Sequence, residues 1–125
     1  ACYLDMDWHT LTEATEPETL VFENASMEKI GMIPEIVVRY RSPYFAHIFA
    51  GGYSSGYYSY IWAEILDADA FGAFKENGLF DPETAKSFRE NILEKGGTDD
   101  PMTLYKNFRG REPEKDEMLK RKGLI

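Results

Sequence analysis

Twice in this chain an aspartate stands directly before a proline, at Asp81-Pro82 and Asp100-Pro101, and each pair opens a stretch of helical hydrophobic spacing that glycine later closes. The carboxylate can accept from the unpaired amides of a first helical turn, and a proline at the first helical position has no amide to leave unsatisfied. Such punctuation confines the residues around it to short, separately capped helices. The first is expected to turn Ala85, Phe88 and Ile92 inward and to end at Lys95-Gly96-Gly97. The second is expected to bury Leu104, Tyr105 and Phe108 and to end at Gly110. A last short helix from Pro113 carries Glu114, Asp116 and Glu117 early and Lys120, Arg121 and Lys122 late, an order that suits the helix dipole.

Upstream, a longer helix is expected from about Ser54 to Gly78. Tyr58, Ile61, Trp62, Ile65 and Leu66 follow the helical period, and Ala68, Ala70, Phe71 and Phe74 widen the apolar surface, which predicts a central helix. In the first fifty or so residues the acids Asp5, Asp7, Glu13, Glu16, Glu18, Glu23, Glu28 and Glu35 face only Lys29, Arg39 and Arg41. There Leu4, Trp8 and Leu11 predict a helix over Cys2–Leu11. Thr12–Glu18 reads as a loop entering a short helix with Pro17 in its first turn, and Ser26 as the cap of another, stopped near Gly31 and Pro34. Ile36–Arg39 is β-like but too short to build a sheet. The expected fold class is all-α, with residues 1–125 forming one helical segment.

Composition removes several functions. In 125 residues, 43% hydrophobic and 14% aromatic content is enough for a core. Lys plus Arg number 14 against 22 Asp plus Glu, a net charge of −8, so neither nucleic acid nor an anionic membrane is an expected partner. No apolar run approaches a membrane-spanning length. With Cys2 as the sole cysteine there is no internal disulfide, which fits a reducing compartment. The chain opens on Ala rather than Met, and is expected to be processed or a fragment. Gly51 and Gly56 have the separation of a phosphate loop, but Tyr57-Tyr58 stand where Lys-Ser/Thr must sit. Cys2, His9 and His47 are the only sulfur or imidazole ligands, with no CxxC or HExxH. Asp5 and His9, one helical turn apart, are either two ligands of an incomplete metal site or an Asp–His pair on a helix surface, and the pair is the commoner arrangement. Asn24-Ala25-Ser26 matches a glycosylation sequon and is read as chance.

One constellation stands apart. After His47, the pair Gly51-Gly52 leads into Tyr53, Tyr57, Tyr58 and Tyr60. On a helix beginning near Tyr53, the residues Tyr53, Tyr57 and Tyr60 share one narrow stripe. Neutral phenols are donors suited to a carbonyl or a developing oxyanion. The other meaning of such a stripe, and the commoner one, is a packing face with each hydroxyl satisfied locally.

Several segments belong together: Leu4-Asp5-Met6-Asp7-Trp8-His9, Arg39-Tyr40-Arg41-Ser42, Tyr44-Phe45-Ala46-His47-Ile48-Phe49, Tyr57-Tyr58-Ser59-Tyr60-Ile61-Trp62-Ala63-Glu64 and Leu66-Asp67-Ala68-Asp69-Ala70-Phe71. Phe88-Arg89-Glu90-Asn91-Ile92-Leu93, Gly96-Gly97-Thr98, Phe108-Arg109-Gly110-Arg111-Glu112-Pro113 and the closing Lys122-Gly123-Leu124 continue them in one register. In that register the chain resembles the thimet oligopeptidase and peptidyl-dipeptidase family of zinc metallopeptidases. The resemblance implies the C-terminal part of a larger, helical, two-lobed peptidase that admits short peptides. It implies that zinc, its HExxH ligands and the general-base glutamate lie upstream, so that no residue of this chain binds metal and the chain alone is inactive. It further implies that Tyr53 and Tyr60 stabilise the oxyanion, that His47 and Tyr57 contact substrate, and that Gly51, Gly52 and Gly56 let the loop close over peptide. Tyr58 is left as core. The expected partners are short peptides, the missing upstream part, and, for an isolated fragment, further copies of itself. A cytoplasmic location is expected. The alternative from another class is a non-catalytic helical module for peptide binding or assembly.

Overall fold

Asp81 and Asp100 do cap helices. In a computed structural model describing residues 1–125, the Asp81 carboxylate accepts the Thr84 amide at 2.7 Å and Asp100 accepts that of Thr103 at 2.9 Å. They open α5 (Pro82–Phe88) and α6 (Pro101–Arg109). Before them come α1 (Cys2–His9), α2 (Thr19–Lys29), the short α3 (Ala46–Phe49) and α4 (Ser59–Asn77), and α7 (Asp116–Arg121) follows. There is no strand, and the fold is all-α. The chain divides into two compact units, Ala1–Tyr60 and Ile61–Ile125.

The first unit is built on Leu4, Val38, Phe45 and Ile48, all buried, with Trp8, Phe22, Met27, Tyr40, Tyr53 and Tyr57 packed around them. Burying each of the larger aliphatic or aromatic side chains contributes about 2 kcal/mol. Trp8 stacks on Phe22 at 3.9 Å between ring centroids and donates Nε1–H to Ser42 Oγ at 2.8 Å. Two expectations change here. The cap of α2 is Glu18, whose carboxylate accepts the amides of Leu20 and Val21 at 3.0 and 2.8 Å, so Pro17 precedes the helix instead of entering it. Ser26 caps nothing, being buried in the middle of that helix. Glu23 is also buried: its carboxylate accepts the Ser42 amide at 2.5 Å and Arg41 Nη1 at 2.9 Å. Burial alone would raise its pKa, but the Ser42 amide and the Arg41 guanidinium outweigh it and hold the carboxyl below its ordinary value. Residues 36–39 form no strand, and Val38 reaches the core from irregular chain.

In the second unit α4 ends at Asn77, with Gly78 at φ +118°, as the sequence predicts. The buried side of α4 is Ala68, Asp69, Gly72 and Ala73, whereas Trp62 remains 43% exposed. The wide apolar stripe is therefore only partly covered. Asp69 accepts the Tyr105 hydroxyl at 2.5 Å and Arg111 Nη2 at 2.6 Å, with Arg109 Nε 3.5 Å away. Phe74, Phe88 and Phe108 form an aromatic group with centroids 5.2–6.4 Å apart. Leu104 and Tyr105 are buried and Gly110 closes α6 at φ +78°, all as expected. Ala85 is exposed and Thr84 takes the inward position, where its hydroxyl accepts from Asn77 Nδ2 at 3.0 Å. Beyond Phe88 the helix widens to a π turn over Arg89–Leu93, and Asn91 Nδ2 donates back to Ser87 O at 3.0 Å. The last helix begins at Asp116, three residues after Pro113.

Candidate functional site

The tyrosines converge, though by a different route from the one their spacing suggests. Helix α4 starts at Ser59, so Tyr53 and Tyr57 lie on the turns before it. Those turns are tightly stitched. The Gly51 amide donates to Ala46 O at 2.7 Å, that of Tyr53 to His47 O at 3.0 Å, and Ser54 Oγ to Ile48 O at 2.5 Å. Gly51 passes so close to α3 that a Cβ there would sit 2.9 Å from His47 Cα and 3.0 Å from His47 O. Gly52 is left-handed at φ +80°, which glycine alone adopts without penalty. The two glycines therefore build a specific close turn.

Folding the chain back in this way places four rings together. Tyr53 stacks on Tyr60 with centroids 5.2 Å apart, and Tyr57 lies 4.8 Å from Tyr60. The His47 imidazole sits 6.0 Å from Tyr53, 5.8 Å from Tyr57 and 6.3 Å from Tyr60. Tyr40 and Phe45 close the group from behind, Tyr40 stacking on Phe45 at 5.0 Å. Tyr40 is not legible in the sequence as a member of this group, because nothing in its local pattern points at a segment more than ten residues away. Tyr58, expected in the core, is 56% exposed because the turn before Ser59 directs it away from its three neighbours.

Two of the phenols, Tyr57 and Tyr60, hold their protons more tightly than an ordinary tyrosine. Hydrogen bonding with the Tyr53 hydroxyl, then partial desolvation, push the Tyr60 phenol up to about 12. Burial, with Tyr40 nearby, raises that of Tyr57. Tyr60 nevertheless keeps 46% of its surface exposed, so its ring is reachable from outside. Neutral, accessible donors converging beside an imidazole can bind a carbonyl oxygen and gain strength as that oxygen becomes anionic.

The residues present do not fit a zinc ion. No group of three or more His, Cys, Asp and Glu side chains is brought together. His47 is surrounded by aromatic rings, and the Asp5 carboxylate is engaged by two backbone amides, those of Ser55 and Tyr57 at 2.9 Å each. Asp5 and His9 do pair, with Oδ1 to Nδ1 at 2.8 Å, but Asp5 is buried, not on the helix surface.

Residues 1–124 match Peptidase family M3. The chain belongs to that family. Oligopeptidase A of Haemophilus influenzae is 57% identical over 86 residues, covering 68% of this chain and 13% of that relative. Dipeptidyl carboxypeptidase of Salmonella typhimurium is 42% identical over 126 residues, covering 99% of this chain and 18% of the relative. The Arabidopsis thaliana organellar oligopeptidase A, chloroplastic/mitochondrial, is 42% identical over 128 residues, covering 98% and 16%. The chain thus spans less than a fifth of the length of these curated M3 relatives.

Proposed function

We propose that this chain is the C-terminal part of the catalytic domain of a two-lobed zinc metallopeptidase that cleaves short peptides. In this reading it supplies the wall of the site opposite the metal and is inactive by itself. The observation that carries the reading is the convergence of Tyr53, Tyr57 and Tyr60 on His47 with the Tyr57 and Tyr60 phenols held protonated. Zinc and the side chains that hold it belong to the remainder of the full-length protein. The M3 relatives named oligopeptidase and dipeptidyl carboxypeptidase support a peptide substrate. A cytoplasmic location is supported by a relative named probable cytosolic oligopeptidase A, although another is named organellar.

Mechanistically, His47 and Tyr57 orient the peptide against the turn at Gly51 and Gly52. When the scissile carbonyl carbon becomes tetrahedral its oxygen gains negative charge, and Tyr53 and Tyr60 donate to it. Such a donor contributes about 3 kcal/mol to the transition state and much less to the ground state. In the full-length protein, Tyr53→Phe and Tyr60→Phe should each lower kcat by about 10²-fold while KM moves little. The isolated 125-residue chain should bind no zinc and fail to hydrolyse a quenched-fluorescent peptide. Full kcat in both tyrosine variants, or stoichiometric zinc with turnover in the isolated chain, would sink this reading.

A further inference from the structure

Asp5 takes no part in the chemistry just proposed, yet its side chain is fully buried and directed at the tyrosine turn. Oδ1 accepts the Ser55 amide and Oδ2 the Tyr57 amide, each at 2.9 Å and each about fifty residues away along the chain. A carboxylate gripping two amides that flank one residue fixes both peptide planes. Ser55 is the one non-glycine residue with positive φ, at +55°, a conformation that L side chains resist without support. His9 completes the arrangement. Its Nδ1 lies 2.8 Å from both the main-chain O and Oδ1 of Asp5, two acceptors, so Nδ1 carries the proton.

The grip continues into the phenols. The Gly56 amide donates to Tyr53 O at 2.8 Å, that of Ser59 to Gly56 O at 3.1 Å, and that of Tyr60 to Tyr57 O at 3.3 Å. The backbones of Tyr53, Tyr57 and Tyr60 are therefore tied to the peptide planes that Asp5 fixes. We infer that Asp5, oriented by His9, is a positioning residue for peptide hydrolysis. It clamps residues 55–57 so that the Tyr53 and Tyr60 hydroxyls keep a common aim. The kinetic part of this inference rests on the oxyanion role proposed for those tyrosines.

The test uses the full-length protein with Asp5→Asn, Tyr60→Phe and the double variant. Hydrogen exchange is read by mass spectrometry over residues 52–60, with residues 101–109 as the folding control. Asparagine keeps one acceptor and loses the other, so exchange in the 52–60 segment should quicken at least about tenfold while the control segment is unchanged. kcat should fall by about tenfold to a hundredfold with KM within about twofold, as expected for misaimed donors. Once Tyr60→Phe is present, adding Asp5→Asn should cost clearly less than it does alone, because the part of its effect that runs through Tyr60 is already lost and only the part through Tyr53 remains. His9→Gln, which leaves the carboxylate in place, should move the same readouts in the same direction by a few-fold, and serves if Asp5→Asn does not fold. Unchanged exchange at 52–60, or fully multiplicative losses in the double variant, would overturn the inference. Full kcat in Tyr60→Phe alongside quickened exchange in Asp5→Asn would instead overturn the oxyanion role, leaving the clamp itself demonstrated.

Discussion

At the scale of single residues, the state of the phenols gives the sharpest expectation. A proton is held more tightly by Tyr60 in the folded chain, up to about 12, than by an ordinary tyrosine near 10. Tyr105 is raised too, by burial first and then by the Asp69 carboxylate that accepts from it. Both shifts have the same sign. The stability they contribute is fully present below about pH 10 and is lost as pH climbs through the folded values. Spectrophotometric titration should therefore show three phenols, those of Tyr57, Tyr60 and Tyr105, ionising later than an ordinary tyrosine, one of which disappears in Tyr60→Phe. Simple titration of every tyrosine near 10 would contradict this. Gly51 offers a second residue-scale test. Its missing Cβ leaves room for the His47 backbone at 2.9 and 3.0 Å, so Gly51→Ala must push the turn away from α3. Peptidase activity of the full-length protein should fall by about tenfold or more, through separation of His47 from Tyr53. Wild-type kcat and KM would show that the turn has slack.

At the scale of elements, the difference between what is legible in the sequence and what is not is one of range. Asp81, Asp100, Gly78 and Gly110 act on amides and carbonyls within a few residues, and their roles are readable from neighbours alone. The tyrosine spacing is helical and so predicts a start of α4 several residues early, whereas the turn before Ser59 gives two of its amides to Asp5, about fifty residues away along the chain. Spacing thus picks out tyrosines that do converge, but on the wrong local geometry. Asp69 escapes a local reading for the same reason: it occupies an apolar-looking helix face, and its burial is made possible by Tyr105, Arg109 and Arg111 some forty residues later. That cluster makes an element-scale prediction. Asp69→Asn takes the buried carboxylate away from Arg111 and from Arg109, which keeps its bidentate pair with Glu76 at 2.6 and 2.7 Å, and should destabilise the Ile61–Ile125 unit by about 3 kcal/mol or more. Tyr105→Phe removes only one hydrogen bond to a charged group and should cost about 1.5–3 kcal/mol. Chemical denaturation of both variants measures the difference, and an equal or reversed order would contradict the charge-pairing account.

At the scale of the whole molecule, the dominant feature is uncovered apolar surface. Phe80 is 96% exposed, and Val21, Ile61 and Phe71 also face outward. Scattered exposed apolar residues are ordinary, but so many large ones on a chain covering under a fifth of its M3 relatives match a segment whose neighbours lie elsewhere in a longer polypeptide. Expressed alone, the chain should bind an apolar-sensitive dye and self-associate as concentration rises, despite a net charge of −8. Analytical ultracentrifugation across a wide range of concentration checks this, and a concentration-independent monomer would argue that these side chains are covered in solution.

The two tryptophans fall one to each unit. Trp8 is stacked and hydrogen-bonded within Ala1–Tyr60, and Trp62 stands at the exposed beginning of Ile61–Ile125. Replacing either with phenylalanine leaves a single indole whose emission colour and quenching by iodide report on one unit alone. Loss of the tyrosine cluster and loss of the Asp69 cluster can then be followed as separate optical events in one unlabelled polypeptide.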